Sequence, residues 1–349
     1  MEIKQLSFWK WLGLLLAGFF LATLLYGVAS LVVMIPHGWL YCVACLAISL
    51  AMLFLYAVFV RAFESQPAMD LPLWKAVGDT GLGLGIGLGY FCVVTGVMAL
   101  LGAYSVTGYG AAAMEILCSF CFFSLVAVGE ELMFRGVLFR WIDEKWGFAA
   151  ALIVSSLLFG LVHIANENAT LWSSIAIAIE AGLLLGAAYK WAGTLWLPIG
   201  IHWAWNFAQG NIFGFAVSGE KAGESLLQAR IEGTGWLTGG AFGAEASVVA
   251  VVAGLLLSAW WKTCPGSPRR PIRKKSTTCS ARTAGRRWPP TWTSPSWARY
   301  PWCRTSAKGP MTAPPQPCWT VRTARPSKNW PENSFPPFNR PSGLATKSL

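Results

Sequence analysis

Long apolar blocks separated by short polar connections fill the first 261 residues of the chain. They fall at 9–34, 39–60, 81–103, 111–139, 147–165, 171–189, 194–210 and 243–261. Each approaches the ~20 residues that a helix needs to cross a hydrocarbon core. The pattern therefore predicts an all-α, polytopic membrane protein, a bundle of about eight transmembrane helices. The first block follows Lys4 and Lys10 and contains VAS at 28–30, a weak cleavage signal. Its length exceeds the roughly 7–15 apolar residues of a signal peptide, so it reads as an uncleaved first helix. The run GLGLGIGLG at 81–89 lies inside a block, where small residues let helices approach closely, and is no phosphate loop.

Composition agrees with this pattern: 55% of residues are apolar, 12% are charged and the mean hydropathy is +0.49. Charge then orients the blocks. Arg61 and Lys75 follow the second block, Arg140 and Lys145 the fourth, and Lys190 the sixth, whereas the connections after the first, third and fifth carry no Lys or Arg. By the positive-inside bias both termini are expected in the cytoplasm, with the protein in the plasma (inner) membrane. After the seventh block Lys221 and Arg230 depart mildly from the pattern, offset by Glu220, Glu224 and Glu232.

Beyond Trp261 the composition changes. Residues 262–349 hold 17 of the 27 Lys and Arg, one of the 16 acids and 16 of the 20 prolines, a net +16 against −5 for residues 1–261. This tail lacks helical or strand periodicity and is expected to be disordered. It reads either as a polybasic anchor to anionic lipid or, the favoured reading, as coding sequence translated out of frame. Its basicity therefore gives no ground for a nucleic-acid partner. Five of the nine cysteines precede this boundary. Cys42/Cys45 and Cys118/Cys121 have C-x-x-C spacing within apolar blocks and read as small apolar filler rather than as a zinc site.

Ionisable residues inside hydrocarbon cost from about 2.5 to more than 10 kcal/mol, so the few in these blocks ask for a role. The fourth block contains VGEELMFRG, 128–136. Glu131 and Arg135 stand i, i+4 on one helical face, acid first, the favourable order for an ion pair. Glu130 projects about 100° away, without an evident partner, and is the free base candidate. The fifth block places His163 one turn after Phe159. The seventh places Asn206 one turn after His202, two donors for a developing oxyanion. Roughly 15–27 Å from the expected cytoplasmic edge at ~1.5 Å per residue, Glu130, His163, His202 and Asn206 can meet mid-bundle. Glu115 and His37 read as interfacial, and Glu180 as a helix–helix or cavity-lining group.

The ordered motifs E-E-x-x-x-R (Glu130, Glu131, Arg135), F-x-x-x-H (Phe159, His163) and H-x-x-x-N (His202, Asn206) resemble the CAAX protease and bacteriocin-processing (CPBP, Abi) family of intramembrane proteases. The resemblance covers about 111–210 and implies peptide-bond hydrolysis on a membrane-associated, prenylated or leader-peptide substrate. Under it, Glu130 and His163 activate water, and His202 and Asn206 face the carbonyl oxygen. Glu131, Arg135 and Phe159 support them. Zinc on Glu130, His163 and His202 would leave one open position, as catalytic zinc requires. There is no H-E-x-x-H, however, and a ligating Glu130 would be lost as a base, so metal-independent action is favoured. Competing readings are a proton-coupled transporter, for which no internal repeat is seen, and a non-catalytic immunity or scaffold protein. A lipid-modifying enzyme lacks a D-x-x-D cluster. The TKSL ending carries no prenylation signal.

Overall fold

The computed structural model describes residues 3–64, 69–221 and 223–263. Six apolar blocks become helices long and apolar enough to cross a membrane: α1 (Phe8–Met34), α2 (Trp39–Glu64), α3 (Leu73–Leu100), α4 (Ala113–Trp146), α5 (Phe148–Ala165) and α6 (Leu171–Ala192). Two shorter helical segments follow, α7 (196–212) and α8 (Val248–Thr263). The protein is an integral membrane protein built mainly of helices. Burial separates the helices into two kinds. The most apolar window of α1 is 17% buried and that of α2 28%, against 61% for α4 and 67% for α6, so α4 and α6 are central.

Two helices outrun their apolar blocks because their charged ends are satisfied. α3 starts at Leu73, not near 81, since Pro72 stands immediately ahead of the first turn, where its missing N–H is harmless. Lys75 and Asp79 then pair i, i+4 at 3.9 Å. α4 continues past 139 to Trp146 and ends where Gly147 takes φ +90°. Close approach of α3 and α7 follows from the glycine run. A Cβ on Gly83 would lie 2.5 Å from the Leu197 carbonyl oxygen, and one on Gly87 2.4 Å from that of Ile201. On the opposing helix, a Cβ on Gly200 would meet the Thr80 carbonyl oxygen at 2.4 Å.

Sequence reading anticipated helices alone; two small antiparallel sheets are also present. β1 (Tyr104–Tyr109) pairs with β4 (Leu227–Ile231), Tyr104 opposite Ile231 and Tyr109 opposite Leu227. β2 (Ala216–Val217) pairs with β3 (Glu220–Lys221). The strands lie in the connections after α3 and α7, too short to give a period-2 signal beside 20-residue apolar runs. Tyr104 ties the larger sheet to the end of α7: its hydroxyl donates to the Phe213 carbonyl at 3.0 Å. Burial pushes that phenol up to about 12. The connection's charges balance locally, Arg230 lying 2.6 Å from Glu232.

The two C-x-x-C pairs, far apart in sequence, pack against each other between α2 and α4, with Cys42 Sγ 3.6 Å from Cys118 Sγ. All four are buried free thiols, in keeping with apolar filler. His37 and Glu115 pair with each other at the same end of these helices. The tail from residue 264, with its expected disorder, lies outside the described residues.

Candidate active site

Arg135 is the hub of the site. Its guanidinium is fully buried, 2.7 Å from Glu131 Oε1 as the i, i+4 spacing predicts, and lies 4.6 Å over the Phe159 ring of α5. It also donates to the carbonyls of Ala181 (3.2 Å) and Gly182 (3.4 Å) on α6. Those carbonyls fall at the end of a π-helical turn, Ala178–Gly182. Such a turn loosens the helical ladder and is frequent at functional sites. One cation thereby joins α4, α5 and α6. Similar turns occupy Leu132–Phe139, directly after Glu131, and Ala208–Ile212, two residues after Asn206.

Glu131 Oε1 accepts a second contact, from His202 Nδ1 of α7 at 3.0 Å. This fixes the imidazole with Nε2 directed toward Glu130, whose Oε2 is 3.8 Å away. Glu130 is not partnerless, as the sequence suggested: the Tyr26 hydroxyl of α1 donates to its Oε1 at 3.4 Å. That partner comes from a helix 104 residues away, beyond any local spacing rule. Room for it exists because residue 129 is glycine; a Cβ there would sit 2.2 Å from the Tyr26 ring. The two glutamates differ in access to water. The Glu130 side chain retains 16% exposure and Glu131 none.

Phe159, His163, His202 and Asn206 come together around one small cavity. Its other walls are Ile177, Ala181 and Leu185 of α6, Trp205 of α7, Ser218 and Glu245. His163 Nδ1 is 2.6 Å from the Phe159 carbonyl, so it carries the proton and donates, leaving Nε2 without that proton. Glu130 borders this group through His202 rather than through His163: no hydrogen bond or ion pair joins Glu130 to His163 among the described residues.

Glu245 was not singled out from the sequence, although it sits inside the 243–261 block. Testing every acid in every apolar block would have found it. It stands in the turn Ala244–Ala246, ahead of α8, and is 3% exposed. The backbone N–H of Ser218 donates to its Oε1. Burial pushes its carboxyl up, opposed by His163 and by the Ser218 amide. Ser218 itself is held over the cavity. Asn166 donates to its carbonyl at 3.0 Å, and Asn168 to that of Gly219 at 2.8 Å. Ser218 (φ +50°) and Asn168 (φ +53°) are the two non-glycine residues at positive φ among the described residues. Local backbone strain of this kind concentrates at functional sites.

Glu180 behaves as a helix–helix group: fully buried, it accepts from Tyr90 of α3 at 2.9 Å. A zinc site on Glu130, His163 and His202 does not fit this arrangement. No three His, Cys, Asp or Glu side chains among the described residues are grouped as a metal ion requires. Sequence reasoning also passed over Asp70, buried 2.6 Å from the Tyr56 hydroxyl and 3.6 Å from Arg140, where it ties the connection before α3 to α2 and α4.

Residues 112–208 match the family model described as type II CAAX prenyl endopeptidase Rce1-like. That region is Rce1-like. The matched stretch begins one residue before α4 and ends in α7, so it includes Glu130, Arg135, His163, His202 and Asn206 and excludes the four strands and Glu245. No curated protein and no solved structure matches the chain. The likeness of this region to a type II CAAX prenyl endopeptidase is at the family level and covers residues 112–208.

Proposed function

We propose that the chain is an intramembrane endopeptidase that hydrolyses a peptide bond of a membrane-associated substrate, prenylated or leader-like, with both termini in the cytoplasm. Glu130 serves as the general base, with His163 helping to hold the attacking water. His202 and Asn206 donate to the oxyanion as the carbonyl carbon becomes tetrahedral. Glu131 and Arg135 hold the helices and His202 in place, and Phe159 backs both Arg135 and His163.

The observation that carries this reading is the asymmetry of the adjacent glutamates beside a cavity lined by two histidines and an amide. Glu131 is sealed and pinned by Arg135 and His202, whereas the Glu130 side chain keeps 16% exposure. A base must reach water, and a buried ion-pair partner need not. No metal enters these steps.

Cleavage of a fluorogenic peptide panel by the full chain in proteoliposomes tests the assignment. Glu130→Gln is expected to lower kcat by about 10²–10⁴-fold, the usual worth of a positioned base, with the melting temperature near wild type. Retained cleavage would remove Glu130 from the base role. A wild-type chain inactive on every peptide would favour a non-catalytic scaffold.

A further inference from the structure

Amide hydrolysis needs three things: an activated water, a place for the oxyanion and a proton for the leaving nitrogen. The residues above supply the first two and leave the third unassigned. An amine expelled without a proton is a very poor leaving group, so a donor must reach it: either the base handing on the proton it has taken or a second acid on the cavity wall.

Glu245 occupies such a position. It lines the cavity with His163, His202 and Asn206, whereas Glu130 lies behind His202. Its carboxyl is clamped at one oxygen by the Ser218 N–H, with Trp205 of α7 lining the same cavity. His163 of α5 and His202 of α7 line it too, and Glu180 of α6 acts on Glu245 electrostatically from outside the cavity wall. Neither Glu245 nor Glu180 pairs with a Lys or Arg among the described residues. A carboxyl group that is 3% exposed and has no Lys or Arg partner among the described residues holds its proton more readily than one in water. Glu180 is fixed by the Tyr90 hydroxyl and fully enclosed, which leaves Glu245 as the carboxyl that meets the cavity. Carboxyl groups whose surroundings drive their charge states apart make an acid and a base.

We propose that Glu245 is the general acid of this site, protonating the leaving amine. The assignment rests on the peptidase reading above. In the step, one proton of the attacking water passes to Glu130 while the water oxygen bonds to the carbonyl carbon. The C–N bond then breaks, its electron pair stays on nitrogen, and the Glu245 proton completes the amine. Glu245 ends as a carboxylate and Glu130 as an acid. Proton exchange with water restores both, so the net change is one water consumed per bond cleaved.

The test compares two leaving groups on the same acyl sequence, an ordinary amide and a 4-nitrophenyl ester, whose phenolate departs without protonation. In full-length protein in proteoliposomes, Glu245→Gln is expected to slow amide cleavage about 10²–10⁴-fold while ester cleavage stays within about fivefold of wild type. Glu130→Gln should slow both, because each needs activated water. Glu245→Asp, which keeps a carboxyl on a shorter arm, should recover part of the amide rate and serves if the amide variant does not fold. Equal loss of both substrates in a folded Glu245→Gln protein, or unchanged amide cleavage, would overturn the assignment. A wild-type chain that cleaves neither substrate would sink the peptidase reading and this one with it. Ester cleavage that survives Glu245→Gln but not Glu130→Gln would support both.

Discussion

At the scale of single residues, the sequence revealed what helical spacing encodes and missed what chain folding brings together. Glu131 and Arg135 were legible because i, i+4 puts them on one face, and the 2.7 Å ion pair follows. The contacts of Tyr26 with Glu130 and of Glu245 with the cavity join residues from separate helices and connections, for which no local rule exists. His202 illustrates the mixture: its place one turn before Asn206 was readable, but its bond to Glu131 was not. The buried pair leads to a specific expectation. Glu131→Gln leaves Arg135 uncompensated in a sealed site, typically about 3–5 kcal/mol of destabilisation, and also takes the anion from His202. Its first effect should be low abundance and a lowered melting temperature. Glu131→Gln combined with Arg135→Met removes both charges and should recover part of that stability, since replacing a whole buried pair is often close to neutral. Activity should not return, because the double variant still lacks the carboxylate that sets His202. Thermal melts of the purified variants decide this; a double variant no more stable than the single one would show that Arg135 acts mainly through its bonds to Ala181 and Gly182.

Whole elements were read better than their ends or their irregularities. Apolar length located the six helices long enough to cross a membrane and the two shorter ones, α7 and α8, among the described residues, because lipid leaves the backbone little choice but to bond within its own segment. The ends shifted where paired charges let a helix continue, as at Lys75–Asp79. The π-helical turns beside Glu131, Glu180 and Asn206 depend on packing between helices and left no mark in the pattern. The glycine run was read correctly as a surface for close approach, and the structure separates its members. Gly87 faces the Ile201 carbonyl on α7, next to His202, while nothing lies within 4 Å of a Cβ on Gly85. One added methyl should therefore have opposite consequences two residues apart. Gly87→Ala forces α3 from α7 and is expected to cost about 1–3 kcal/mol, with a loss of activity as His202 moves. Gly85→Ala meets no neighbour and should be neutral or stabilising by up to about 1 kcal/mol, through helix propensity. Unfolding of both variants in mixed micelles measures the contrast, and equal destabilisation would mean that α3 and α7 do not make this contact.

Over the whole molecule, charge divides the chain more sharply than hydropathy does. Residues 1–261 carry a net −5 and contain every site residue named above, while 262–349 carry +16 and 16 of the 20 prolines. Each wall of the cavity, from Phe159 to Glu245, precedes that boundary, and α8 closes against α6, where a Cβ on Gly254 would lie 2.9 Å from Glu180. We propose that the segment beyond α8 is dispensable for the membrane protein. A chain ended after Thr263 should insert, accumulate and melt like the full-length one, and should cleave the same peptides at the same rate. The polybasic alternative makes a different forecast that the same pair of proteins can test. If the tail anchors to anionic lipid, each basic residue near the surface contributes about 1 kcal/mol within a Debye length. The full chain would then differ from the shortened one in vesicles rich in phosphatidylserine, and the difference would fade between about 0.01 and 1 M salt as the Debye length contracts from ~30 to ~3 Å. Equal activity in neutral and anionic vesicles at low salt would confine function to residues 1–263. A salt-sensitive gain in the anionic vesicles alone would assign the tail a part in membrane attachment while leaving the catalytic groups where they are.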